Sequence, residues 1–166
     1  MNQRTTVGLV AFLALCAGIV GALYIAPPNV ESQPEYFQTY PEPRALSPFS
    51  LTSHEGEVFD NSSLEGQWSL VFVGYTFCPD ICPMTLSNLS AVVDQLGEDA
   101  AKLSILFVTV DPERDTPEVM TEYAAAFTPR VDGLIGTPNQ LARLARRLKV
   151  TYKIEPHQPD DVTYDV

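Results

Sequence analysis

Val71-Phe72-Val73-Gly74-Tyr75-Thr76-Phe77-Cys78-Pro79-Asp80-Ile81-Cys82-Pro83 is the stretch from which the rest of the chain is best read. Its short apolar, β-branched run has no polar alternation and predicts a strand buried on both faces over residues 71–75. Pro79 and Pro83 forbid any continuation of that strand. Pro83 suits the first position of a helix, where an N–H would have no partner, and it steers Cys82 away from helical torsions. The expected arrangement therefore has Cys82 at the N-cap and Cys78 in the loop before it. From Met84 onward Leu86, Leu89, Val93 and Leu96 recur at three- and four-residue steps, and Gly97 supplies a stop.

A thiolate at a helix N-terminus meets unpaired N–H groups and the positive end of the helix dipole, which lowers its pKa. Both thiols are thus expected to be partly ionised near neutral pH, as nucleophiles or soft-metal ligands. The loop between them is short enough for a disulfide or for a shared metal ion, and the spacing does not choose between the two.

A chain of 166 residues suits one domain with an appendage, and a 45% hydrophobic content is enough for a core. The formal net charge is −11. Because the first 26 residues hold one Arg and no acid, the remainder is more acidic still. That balance speaks against nucleic acid and anionic membrane surfaces as partners and reads as a solvated acidic exterior.

Residues 7–26 carry no charge and are long enough to cross a bilayer. Arg4 precedes this span, and Glu31, Glu35 and Glu42 follow it, so residues 1–6 are expected in the cytoplasm and the domain outside. No A-x-A site closes the apolar run, which favours a retained anchor over a cleaved signal peptide. Cys16 lies within the span and reads as an inert, lipid-buried thiol. An N-terminus without an Arg- and Ser-rich amphipathic pattern points to a bacterial inner membrane, crossed once, with the domain in the periplasm. Residues 27–48, with their prolines and few aliphatics, read as an extended linker, leaving 49–166 for the domain.

Within the domain, residues 49–59 alternate loosely around His54-Glu55-Gly56, a short hairpin with its turn at Gly56 and a solvated His54. Trp68 reads as a packing residue at the entrance of the central strand. Residues 103–110 form a second buried strand and end in Asp111-Pro112-Glu113-Arg114-Asp115-Thr116. Thr116 as N-cap and Pro117 at the first position start a second helix, with Val119, Tyr123 and Phe127 inward. Residues 134–136 suggest a short strand. A third helix is expected over 137–149, with Leu141, Leu144, Ala145 and Leu148 inward and Arg143, Arg146 and Arg147 solvated. Residues 150–154 are a further strand candidate, followed by a polar loop with His157.

Strands alternating with helices imply an α/β fold, a mostly parallel sheet with helices on both faces. Ligand chemistry in such sheets collects beyond the carboxyl ends of the strands. The Cys78–Cys82 loop and the 111–116 loop both leave strands at such ends and should be neighbours. Asp80, Asp111, Glu113, Arg114 and Asp115 are accordingly the residues expected to support the thiols.

Tyr75-Thr76-Phe77-Cys78-Pro79-Asp80-Ile81-Cys82-Pro83, taken with Val110-Asp111-Pro112-Glu113-Arg114-Asp115-Thr116-Pro117, resembles the Sco/SenC proteins. The resemblance runs from about residue 49 to the end. It implies a thioredoxin-like fold after a membrane anchor, and copper handling in assembly of the CuA centre of cytochrome c oxidase. It further implies that Cys78 and Cys82 are the copper-ligating thiolates and that the partner is the CuA domain of oxidase subunit II. The family's third ligand is a His in a later Tyr-x-Val-Asp-His segment. Here Tyr164-Asp165-Val166 matches the start of that segment and the chain stops; neither His54 nor His157 occupies the family position, so no histidine ligand is carried over. The family's closing strand–helix region is absent too, and a fragment with an uncovered sheet edge is expected. Cu(I) delivery by a metallochaperone is the leading expectation, with Cu(II) held only in a longer chain. Thiol–disulfide exchange on the CuA-ligand cysteines stands second, although general oxidoreductases of this fold use C-x-x-C. Peroxide reduction and a purely structural disulfide follow.

Overall fold

The computed structural model describes residues 2–25, 39–157 and 166, in two compact units, 1–44 and 45–166. In the first unit α1 runs over Gln3–Ile25. At 1.5 Å per residue its 23 residues reach about 35 Å, enough to cross a hydrocarbon core. Most of the predicted linker and the segment 162–165 lie outside the described residues.

The second unit follows the order β1 (Ser50–Ser53), β2 (Val58–Asp60), β3 (Trp68–Gly74), α2 (Ile81–Leu96), β4 (Leu103–Thr109), α3 (Pro117–Ala125), β5 (Val131–Ile135) and α4 (Pro138–Leu148). The strands form one sheet in the order β2-β1-β5-β4-β3. β3, β4 and β5 are parallel neighbours, and β1 is antiparallel to both β5 and β2. Four strands therefore point one way and β1 the other. The hairpin expected around Gly56 is present, with that glycine at φ +89°. Short 3₁₀ helices at Asn61–Leu64 and Gly97–Lys102 lead into β3 and β4.

Alternate residues of β4 serve two cores. Ile105 and Phe107 pack with Leu86 and Val93 of α2 and with Met120 and Ala124 of α3. Leu106 and Val108 pack with Leu51, Leu134, and Leu141 and Leu144 of α4 on the opposite face. A strand covered on both sides reads as one continuous apolar run, and each such buried side chain contributes about 1.5–3 kcal/mol.

The strand expected to be central is the one that is not. β3 begins at Trp68, lies at the sheet's edge, and pairs among the described residues with β4 alone. Leu70 is 40% and Val71 43% exposed, and Trp68, at 77%, packs against little. An apolar run reports what a strand could bury, whereas its neighbours are decided by the whole topology. Along α3 Met120 and Ala124 are buried most deeply, while the expected Val119, Tyr123 and Phe127 are half-buried, with Tyr123 and Phe127 packed against the same core. Phe127 follows the end of that helix. Residues 150–154 form no strand, and the strand sought at 134–136 is β5, beginning at Val131. Thr116 and Thr137 cap α3 and α4, each followed by a proline in the first turn.

Candidate metal and thiol site

β3 and β4 run in register from Trp68 opposite Leu103 to Gly74 opposite Thr109. The pairing extends one step further, with the Val110 N–H donating to the Gly74 carbonyl at 2.9 Å. The cysteine loop and the Asp111 loop thus leave the sheet side by side at the carboxyl ends of parallel strands. α2 begins earlier than Pro83 suggests: Asp80 is its N-cap, Cys82 its second residue and Pro83 its third. A proline is tolerated there because no N–H of the first turn has a helical partner. The first such bond runs from the Met84 N–H to the Asp80 carbonyl, at 3.2 Å.

The two thiols are free and unlike each other. Cys78 is half-buried in the loop, and its Sγ accepts the Cys82 N–H at 3.4 Å. Burial pushes the Cys78 thiol up, but the Cys82 thiol and the N–H groups of Cys82, Asp80 and Ile81 outweigh it and hold the group below its ordinary value. Cys82 is 5% exposed. Its thiol is pushed up to about 11, first by burial and then by the Cys78 sulfur and the charge of Asp115. The expectation of two partly ionised thiols is therefore corrected to one activated thiol beside one that keeps its proton. Gly74 makes room for the buried sulfur, since a Cβ at that position would lie 2.8 Å from Cys82 Sγ and 3.0 Å from Phe107 Cε2.

Beneath this loop lies a buried polar cluster. Asp115 is fully buried and accepts the Thr76 N–H at 3.1 Å, the Thr76 hydroxyl and the Thr109 hydroxyl. Burial raises its carboxyl above the usual range, against the opposing effect of those donors. Thr109 in turn accepts the Asp111 N–H at 2.9 Å. Asp111, 1% exposed, pairs with Arg114 Nε, and the Arg114 guanidinium stacks 4.9 Å from the Phe77 ring and 5.7 Å from that of Tyr75. Asp115 and Arg114 thus grip the cysteine loop directly, and Asp111 holds Arg114 in place.

Asp80 and Glu113 lie differently. Asp80 is exposed and offers Cys78 its backbone N–H, while its carboxylate makes no cap bond. Glu113 turns to His157, whose Nε2 lies 3.0 Å from the carboxylate and whose Nδ1 lies 2.9 Å from the Glu155 carbonyl. Two acceptors call for two ring protons, so the Glu155 carbonyl and then Glu113 raise His157 above its ordinary value. With both nitrogens engaged, His157 is not poised as a metal ligand. His54 is not simply solvated: its Nδ1 accepts the Gly133 N–H at 3.0 Å and its carbonyl the Thr121 hydroxyl. Among the described residues no cluster of three or more His, Cys, Asp or Glu side chains forms a metal cage.

Sequence reasoning passed over Thr76 and Thr109, and read Tyr123 only as an inward packing residue. Thr109 ends β4 and Thr76 lies two residues past the end of β3, where hydroxyls near a neighbouring acid are a readable signal. The Tyr123 hydroxyl is buried without a hydrogen-bond partner among the described residues, and burial, followed by the charges of Cys82, Cys78 and Asp115, pushes it up to about 12.

An α/β sheet with an asymmetric dithiol at its carboxyl edge defines a protein that handles soft metal ions or exchanges disulfides. Residues 38–166 match the SCO1/SenC family, and the chain belongs to it. The chain is 34% identical to the SCO2-like protein RP587 of Rickettsia prowazekii over 98% of its own length and 80% of that protein's. It spans about half the length of several other curated relatives it matches. Its fold is similar to that of copper-bound ScoI of Bradyrhizobium japonicum, with a TM-score of 0.65 and 41% identity over 70% of this chain and 73% of that one. BsSco, a member of the Sco family of cytochrome c oxidase assembly proteins in which a disulfide switch has been identified, is 25% identical with a TM-score of 0.58, covering 70% of this chain and 71% of that one. The thioredoxin-like fold that the motifs imply is thus the fold the chain has.

Proposed function

We propose that this chain is a membrane-anchored metallochaperone that carries Cu(I) on Cys78 and Cys82 for assembly of the CuA site of cytochrome c oxidase, delivering it to the CuA domain of subunit II. The observation that carries this reading is the closeness of the two cysteines, with the Cys82 N–H directed at Cys78 Sγ and the two thiols hydrogen-bonded to each other. Thiolates select Cu(I), and a site whose two soft donors have no further nitrogen or oxygen cluster among the described residues suits Cu(I) far better than Cu(II). The half-exposed Cys78 is the atom a partner can reach, and Cys82, released from its proton, closes the site behind it. The copper bound in the Bradyrhizobium relative supports copper as the ion handled here. Arg4 before the uncharged span supports an inner-membrane anchor with the domain on the periplasmic side.

Competition titration with Cu(I) tests the assignment. Cys78→Ser and Cys82→Ser should each abolish tight binding, and Cys16→Ser should leave it intact. Full loading of either site variant would refute the shared site.

The split between the thiols favours a second reading, reduction of disulfides on the CuA-ligand cysteines. Cys78 thiolate would attack one sulfur of the partner's disulfide and release the other as a thiolate. Cys82, after losing its proton, would then attack Cys78 Sγ, leaving a Cys78–Cys82 disulfide and two reduced partner cysteines. Turnover on an oxidised CuA-domain peptide by the metal-free dithiol would establish this role. Its absence leaves copper delivery alone.

A further inference from the structure

The net charge of the protein conceals a local exception. Five of its ten basic residues fall between Arg143 and Lys153, and no acidic residue occurs from 133 to 154. Arg143, Arg146 and Arg147 share one exposed face of α4, at the i, i+3 and i+4 spacing, opposite the buried Leu141, Leu144 and Ala145. None of the three is ion-paired among the described residues. Like charges at that spacing weaken a helix, and nothing in the packing of α4 requires them. All three line a single groove of about 460 Å³, whose other wall includes Ser47, Pro48 and Phe49. Guanidinium forks converging on one groove suit phosphate oxygens, which they bind in bidentate fashion.

We infer that this groove is the surface through which the domain rests on an anionic bilayer, with phosphodiester headgroups held by Arg143, Arg146 and Arg147. The groove wall at 47–49 is where the chain coming from α1 enters the domain. The 22 residue steps from Ile25 to Ser47 span at most roughly 80 Å, so an anchored α1 keeps the groove within reach of the membrane. The acidic remainder of the domain opposes approach only weakly, because its repulsion is screened beyond about 10 Å. α4 covers the face of the sheet opposite to α2, so docking through α4 leaves the dithiol helix on the side away from the lipid. The inference rests on the anchor assigned under the proposed function and is independent of copper.

The test uses the full chain in lipid nanodiscs of phosphatidylcholine alone or with phosphatidylglycerol, read by amide hydrogen exchange. Phosphatidylglycerol should slow exchange in α4 and at 45–49. Replacing the three arginines by Gln should cancel that slowing, with about a hundredfold loss in the docking equilibrium at roughly fivefold per arginine, and replacing them by Lys should retain most of it. Equal exchange in the two lipids, or slowing that survives the Gln variant, would overturn the inference. So would slowing reproduced by inorganic phosphate in phosphatidylcholine discs at matched ionic strength, which would mark a free-anion site. A chain that does not stay with the discs at all would overturn the anchor and the inference together. One that stays but shows no lipid dependence would overturn the inference alone.

Discussion

The two loops that leave the sheet together are built in opposite ways. Residues 75–80 after β3 are partly exposed and hold the reactive sulfur of Cys78. Residues 110–116 after β4 carry two buried carboxylates, a buried guanidinium and an i to i+4 bond from the Asp115 N–H to the Asp111 carbonyl. The loop a partner must reach is left open, and its geometry is imposed from beneath by the buried Asp111 and Asp115 of the other. A soft-metal site needs both, since the ion must enter while the donors stay close together.

Asp115→Ala should break this division most severely, because it strands the Thr76 N–H and the hydroxyls of Thr76 and Thr109 in a buried place. A loss of about 2–4 kcal/mol is expected, a fall in Tm on the order of 10 °C, with weaker Cu(I) binding alongside. Asp80→Ala, at an exposed position, should stay within about 0.5 kcal/mol of the parent. Thermal melts of the two variants giving equal losses would erase the distinction between the loops.

Gly74→Ala sharpens the comparison from the sheet side. The added Cβ would overlap Cys82 Sγ at 2.8 Å, so about 1–3 kcal/mol of overpacking is expected together with displacement of the sulfur. Denaturant midpoints give the first quantity and Cu(I) competition the second. Unchanged copper affinity would show that the position of Cys82 does not matter to the site.

Tyr123→Phe should have the smallest effect. Removing a buried hydroxyl that has no partner costs no hydrogen bond, and stability should change by less than about 1 kcal/mol in either direction. A larger loss in the same denaturant assay would mean that the hydroxyl serves the thiols.

Much of this arrangement was legible in the residues. The paired loops, the Thr-Pro starts of α3 and α4, the hairpin turn at Gly56 and the two-sided burial of β4 all follow from local rules that the fold respects. What was not legible depends on neighbours. Pro83 is compatible with any of the first helical positions, so it could not fix where α2 begins. The apolar run of β3 could not announce an edge position. In α3, nine residues with two alanines carry too weak a stripe to choose between Val119 and Met120 as the buried position. Helix-end chemistry alone predicted two ionised thiols, and the burial of Cys82, a property of packing against Gly74 and Phe107, reversed the sign for one of them.

That asymmetry gives the most direct measurement, the pH dependence of Cu(I) affinity by competition titration at fixed free Cu(I). Cys82 carries its proton up to about pH 11 in the metal-free chain, so a metal that binds both sulfurs must displace it. Affinity should therefore climb by at least about tenfold per pH unit from neutrality toward that value, with a proton released for each ion bound. A profile that is flat above the titration of Cys78 would mean that Cys82 keeps its proton, and that the two sulfurs do not hold one copper ion.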